Sequence, residues 1–270
     1  MTEAPRLTPG VSSPRRALQL LLGFDAARPR TTVAELAERL GLPTSSVYRY
    51  VALFRELHLL EEDEETSTLQ LTPRILAVAT AALAVQDYVK ISQPGLEALC
   101  AEVGETVMLI RQSGSVAVCV ASVVSSHALR LDFGVGHTFS FGSGATARIM
   151  LAQLPPAERE RHLNELCARD PDLAGTRAAV AEQVEEAAEH GWATSEAELE
   201  PGVWACSARV SLQRVPPLAV TIAGPAFRLT SRQRRQAVAR ACESARAIEE
   251  GWRLEGLSTP VQARAGTAPA

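Results

Sequence analysis

The sequence predicts an α+β chain in two parts: a helical N-terminal unit with a two-stranded wing, joined through one apolar helix to a larger domain of mixed strands and helices. Three observations predict it. Two short amphipathic helices follow each other almost without a gap between Thr32 and Leu57. A polar run, Glu62–Thr66, then separates two short β-prone stretches. From Val107 onward, strand-like and helix-like segments share the chain without a strict βαβ order, which reads as a central, largely antiparallel sheet.

The elements follow in order. Residues 1–13 and roughly 257–270 are rich in Pro, Ser, Thr and other small residues, and read as tails. A helix starts at Pro14, with Ala17, Leu18, Leu21 and Leu22 on one face and Arg15 and Arg16 in its first turn. It fades in the loop Ala26–Arg30. Thr32-Val33-Ala34-Glu35 is a capping box: the threonine hydroxyl accepts from the Glu35 N–H and the carboxylate reaches back. Val33, Leu36, Ala37 and Leu40 follow at helical spacing, and Gly41 stands where a left-handed residue ends the helix. Pro43-Thr44 supplies the break and the N-cap of a second helix, whose Val47, Tyr50, Val51 and Phe54 repeat that spacing. Helices joined by so short a turn must cross steeply, which is a helix-turn-helix. Leu59–Glu61 and Ser67–Leu71 form the wing. Thr72-Pro73 caps a helix over Arg74–Lys90 that is apolar around most of its circumference, so it needs cover from a domain or a second subunit.

In the larger domain, residues 93–103 are predicted helical, and Val107–Ile110, Val116–Ser122 and Leu129–Phe133 are predicted strands. Glycine-punctuated loops lead to helices over 145–154, 156–168 and 176–190. Strands at about 203–212 and 217–223 precede a last helix, opened by the capping box Thr230-Ser231-Arg232-Gln233 and running to about Leu254.

Composition narrows the function. The chain has 270 residues, 46% hydrophobic and 21% charged, which is ordinary for a globular protein that buries a core. Residues 1–60 hold eight Arg against five acids, about +3, which leaves about −7 for the rest of a chain of net charge −4. A nucleic-acid site therefore belongs at the N-terminal end. The five cysteines form no CxxC pair, so neither a zinc site nor a disulfide framework is expected, and the odd count suits a reducing cytoplasm. The start carries no apolar signal segment, and no run reaches the ~18 apolar residues of a membrane span. His58, His127, His137, His162 and His190 are dispersed, and Gly142-Ser143-Gly144 and Gly134-Val135-Gly136 lack the spacing of a nucleophile elbow and of a dinucleotide loop. No enzyme activity and no cofactor are expected.

The candidate contacts to duplex DNA sit at the helix-turn-helix. They are Thr32 and Thr44 at the two helix starts, and Ser45, Ser46, Tyr48 and Arg49 on the outer face of the second helix. Arg49 can bind a guanine with two hydrogen bonds or clamp a phosphate. In the larger domain, Gly142-Ser143-Gly144 runs into a helix whose first N–H groups, at Ala145 and Thr146, favour a carboxylate.

From about Arg15 to Leu254 the chain resembles the IclR family of bacterial regulators. Three stretches carry the resemblance: TTVAELAERLGLPTSSVYRYVALFRELHLLEED, FGSGATARIMLAQLP, and HGWATSEAELEPGVWACSARV followed by PLAVTIAGPAFRLT. It implies a winged helix-turn-helix over 14–72, a linker helix over 73–90, and a GAF-like effector-binding and oligomerisation domain over 91–256. It implies a homodimer or homotetramer on a DNA operator, acting as a repressor and sensing a small organic acid. A regulator that binds DNA constitutively, with a C-terminal domain that only oligomerises, is the alternative. The implied effector residues are Gly144, Ala145, Thr146, Glu196, Cys206, Thr221 and Ala223. Three departures stand out. The family's Gly-Lys pair is Ala147-Arg148, a glycine is replaced by His58, and the wing tip is the acidic Glu61–Glu65.

Overall fold

The computed structural model describes residues 12–24, 28–84, 86–169 and 171–255. Residues 1–11 of the predicted tail 1–13, the tail 257–270 and residues 25–27 of the first loop lie outside the described residues, while Ser12 and Ser13 belong to the first helix rather than to the tail. The chain divides into two compact units, residues 1–86 and 87–270.

The first unit packs α1 (Ser12–Leu21), α2 (Val33–Leu40) and α3 (Thr44–Glu56) around one core. Ala17, Leu20, Val33, Leu36, Ala37, Val47, Tyr50, Val51 and Phe54 meet Leu60 and Leu69 of the wing there. Strand β1 (Arg30–Thr31) joins β2 (Leu60–Asp63) and β3 (Thr68–Leu71) in a three-stranded antiparallel sheet with β3 in the centre. The capping box at Thr32 is formed in both directions: Thr32 N–H donates to Glu35 Oε2 at 2.7 Å, and Glu35 N–H to Thr32 Oγ1 at 3.3 Å. The bond from the Thr32 N–H, followed by one from the Thr31 hydroxyl, holds the Glu35 carboxyl below the usual carboxylate range. Gly41 adopts φ 60 at the end of α2, as its position requires. The cap of α3 differs from the sequence reading. Pro43 is the N-cap, its carbonyl accepting from the Val47 N–H at 3.2 Å, and Thr44 is the first helical residue, so no side chain caps this helix.

Helix α3 ends in a Schellman turn: Leu59 N–H reaches Phe54 O at 2.8 Å and His58 N–H reaches Arg55 O at 2.9 Å. His58 therefore carries φ 55. This is the position where the resemblance leads one to expect glycine, and the geometry explains why.

Helix α4 (Ile75–Ala84) is shorter than the apolar pattern suggests. The following helix, α5 (Asp87–Val103), begins on an acid and runs through Pro94, so the expected start at 93 lies inside it. No residue of α4 is buried within the chain. No single described helix is long and apolar enough to cross a membrane.

The second unit is built on a six-stranded antiparallel sheet in the order β6-β5-β4-β9-β8-β7. Its strands are β4 (Thr106–Ser113), β5 (Val116–Val123), β6 (Thr138–Ser140), β7 (Trp192–Glu196), β8 (Val203–Val210) and β9 (Leu218–Pro225). Helices α5 and α9 (Ser231–Leu254) pack on one face, against Val107, Leu109, Cys206, Ala208, Val220 and Ile222. Helices α6 (Gly144–Ala152), α7 (Pro156–Arg169) and α8 (Pro171–His190) cover the other, against Met108, Ile110, Ala205, Ala219 and Ala223. The predicted strand Leu129–Phe133 is an extended loop instead. Its carbonyls accept from side chains rather than from a ladder: Thr106 Oγ1 donates to Leu131 O at 2.6 Å and Arg228 to Leu129 O at 3.0 Å. The segment holding Glu196, which lies between the predicted elements, is strand β7.

Glu105 leads into β4, with a side chain only 3% exposed and two 2.7 Å hydrogen bonds from Arg228. Its carboxyl lies directly over Gly224, where a Cβ would meet Glu105 Cδ at 2.6 Å. The glycine of the Gly224-Pro225 pair is therefore a packing requirement.

Two outcomes follow. Replacing His58 with Gly removes the left-handed side-chain clash and should raise stability by about 1 kcal/mol in urea unfolding. Gly224→Ala should displace the Glu105–Arg228 pair and cost roughly 3 kcal/mol by the same measurement.

Candidate nucleic-acid interface and candidate effector site

Burial of Val47, Tyr50, Val51 and Phe54 fixes which face of α3 looks outward. Thr44, Ser45, Tyr48 and Arg49 are exposed, and Ser46 is half-buried. Among the described residues, no side-chain hydrogen bond or ion pair engages Arg49, so its guanidinium is available. The first turn of α3 adds backbone N–H groups that no helix carbonyl reaches, at the positive end of the helix dipole. Thr32, by contrast, is committed to its cap. The acidic wing is largely satisfied internally. Gln70 donates to Glu61 at 2.6 Å, Arg55 pairs with Glu62 at 2.7 Å, and Asp63 accepts from the Glu65 and Thr66 N–H groups. The bond from Thr66 holds the Asp63 carboxyl below the usual range. Glu64 and Glu65 are left at the exposed tip.

In the second unit, the period of two along each strand sorts the implied effector residues between two faces. Thr221 and Ala223 face α6. Thr146 comes down from α6 to meet the sheet, its hydroxyl 3.0 Å from Ser207 Oγ and 3.2 Å from Thr221 Oγ1. Ser207 and Thr221 are 2.7 Å apart, so the three buried hydroxyls close a ring. Gly144 and Ala145 start the same helix. Cys206 and Glu196 lie on the opposite face. Cys206 is packed among the residues under α9, where burial pushes its thiol well up. Glu196 holds Arg234 of α9 with bonds of 2.6 and 2.9 Å, and that partner lowers its carboxyl.

The positions beside them on the α6 face are Ser195, Ala205 and Ser207. Register aligns Ser195 with Ala205 and Ala205 with Ala223 in one row, and Ser207 with Thr221 in the next. A shift of one residue moves a side chain to the other face of a sheet. The signal that would have found this is the alternation of Ala193, Ser195 and Ala205, Ser207, which becomes legible once β7 is recognised as a strand.

The loop after β7 supplies a residue absent from the sequence reading. Glu198 accepts the Gly144 N–H at 3.0 Å and pairs with Arg148, whose Nη2 lies 2.7 Å from both oxygens. Arg148 also reaches Thr194 O at 2.6 Å and Gln183 Oε1 at 3.0 Å. The pair borders a cavity of about 320 Å3 between α6 and α8, and a groove of about 1040 Å3 along β7.

This architecture matches known proteins over nearly its whole length. Residues 80–250 match the family model described as bacterial transcriptional regulator IclR, C-terminal, and residues 13–64 match the IclR helix-turn-helix domain. The chain belongs to the IclR family. It is a transcriptional regulator of the IclR type, with a DNA-binding head. It is 28% identical to the HTH-type transcriptional regulator KipR of Bacillus subtilis over 213 residues, 78% of this chain and 85% of that protein. Among solved structures, an IclR-family regulator from Brucella abortus superposes with a TM-score of 0.77 at 21% identity, covering 89% of this chain and 92% of that one. An IclR homologue from Microbacterium hydrocarbonoxydans, complexed with 4-hydroxybenzoate, gives a TM-score of 0.68 at 17% identity, covering 90% and 100%.

If the open face of α3 in this IclR-type head reads bases, Arg49→Ala should weaken specific DNA binding by about 1–3 kcal/mol, measured by gel shift.

Proposed function

We propose that this chain is a repressor whose hold on a double-stranded operator is set by a small organic acid bound on the α6 face of the sheet. One observation carries the DNA part: α3 presents a free Arg49, exposed Thr44, Ser45 and Tyr48, and an open N-terminal turn on one surface. For the effector, the support is the convergence of Gly144, Ala145 and Thr146 with Ser207, Thr221 and Ala223. The acid end would meet the Ala145 and Thr146 N–H groups, and the hydroxyls would take the rest of the molecule. The Microbacterium homologue, solved with 4-hydroxybenzoate, supports this class of ligand. Repression is the simplest sign, because a protein seated on a promoter blocks it by occupancy alone.

The working form is a homodimer or homotetramer in the cytoplasm. Its support is α4: none of its ten residues is buried, and Leu76 and Val78 are 61% and 65% exposed. A helix that apolar is at a free-energy cost in water until a second copy covers it. Pairing also supplies two recognition helices for two half-sites. The effector acts only through a difference in affinity between two arrangements of those heads.

One observation favours the rival, a constitutive DNA binder. The Thr146, Ser207 and Thr221 hydroxyls satisfy one another without a ligand.

The test joins two measurements on the full chain. Light scattering at micromolar concentration should give at least a dimer; a monomer removes the assembly. A melting screen of organic acids, with 4-hydroxybenzoate as the first probe, should raise Tm, and the same compound should shift DNA affinity. A ligand that binds without changing DNA affinity, or the absence of any melting shift across the screen, leaves the constitutive reading standing.

A further inference from the structure

Loop 197–202 connects β7 to β8, and none of its residues is buried. Its base is fixed: Ala197 N–H donates to Val203 O at 2.8 Å, and Ala226 N–H to Gly202 O at 2.7 Å. Both ends sit in the left-handed region, Ala197 at φ 56 and Gly202 at φ 77. Between those ends, two side chains reach the body of the domain. Leu199 rests on the start of α6: a Cβ on Gly144 would meet Leu199 Cδ1 at 3.1 Å, with Ser195 Oγ at 3.9 Å. Leu199 is still 43% exposed, so its packing is partial.

Glu198 does most of the holding. Its carboxylate takes one N–H from Gly144 and the charged Nη2 of Arg148, which lies 2.7 Å from both oxygens. Charge-assisted bonds of this kind are the strong ones. Arg148 belongs to the fixed frame, because Thr194 O and Gln183 hold it independently and its side chain is only 12% exposed. Glu198 is 30% exposed and can pass to water, and its release leaves the largely buried Arg148 guanidinium on neutral partners alone. Arg148 would keep its other two partners. The loop therefore has one latch, two backbone pivots and no buried anchor, the composition of a segment that opens on its own.

We propose that loop 197–202 is the gate to the α6 face of the sheet, and that Glu198 is the positioning residue that latches it shut. Leu199 is the part that moves off Gly144, beside Ser195. What passes the gate rests on the effector reading above; the latch does not.

The experiment is hydrogen exchange on the full chain and its variants. Glu198→Gln removes the charge and keeps the shape, and Glu198→Ala removes both. Exchange at the protected amides that bracket the loop, Ala197 and Val203, and at Gly144, should rise at least tenfold in E198Q and further in E198A, while β4, β8 and β9 otherwise exchange as in the native chain. Unchanged exchange at these amides in both variants overturns the latch. This readout needs no ligand, so it is separate from the effector reading. For the gate, binding of 4-hydroxybenzoate, or of the screened acid that raises Tm most, is followed by stopped flow. Association and dissociation should both quicken several-fold in E198Q, with a smaller change in Kd. Equal rate constants overturn the gate. If no acid raises Tm in the native chain, the effector reading fails and takes the gate with it, while exchange still decides the latch.

Discussion

Strand β9 is the constraint on which the larger unit depends. It lies between β4 and β8, and all eight of its residues are buried. Each residue is thereby committed to one face. Leu218, Val220 and Ile222 belong to the core under α5 and α9, and Ala219 and Ala223 to the core under α6. Thr221, the one polar side chain among them, must find a partner in that interior, since an unpaired buried hydroxyl is costly. It finds two, on β8 and α6, and so fixes where α6 sits on the sheet. The packing of one helix and the chemistry of the candidate site have the same origin.

Much of the head was legible from spacing alone. Helix α2 is marked at both ends, by a reciprocal capping box and by a glycine, and its apolar residues repeat with helical period. The larger unit was legible in class but not in detail. Leu129–Phe133 alternates like a strand, yet its carbonyls take side-chain donors from β4 and from Arg228, and such long-range partners leave no local signal. Strand β7 was missed because an acidic, glycine-flanked segment looks like a turn. That omission has a direct effect on the site. Without β7 there is no register to decide between Ser195 and Glu196, or between Ala205 and Cys206, and a single-residue slip exchanges the two faces.

The positions that depart from local preference also have an order. His58 and Ala197 both carry left-handed backbone where glycine would be easier. His58 is held by the Schellman bonds and by Thr72, whose hydroxyl donates to its carbonyl at 2.5 Å. Ala197 is held by its bond to Val203 and by the strand behind it. In each case the strain stands at a junction, one between α3 and the wing, the other between β7 and the loop that follows. Strain of this kind persists only where neighbouring structure overdetermines it.

Arg148 has one more effect, on how the molecule behaves among its own copies. The pairing of Gly191 and Ala197 with β8 means that the carbonyl of Thr194 points out from the last strand of the sheet. An open strand edge is a template for adding another chain, and long runs of such edge seed aggregation. Here the outward acceptor at the middle of β7 is already occupied by a guanidinium, which is bulky, charged and tied to α8. The far edge is protected differently, by brevity, since β6 has only three residues. A small, neutral residue at 148 would leave the loop after β7 without its counter-ion, and would also uncover the one stretch of this sheet best able to recruit a stray strand. Solubility at high expression is thus a second property lodged in that side chain.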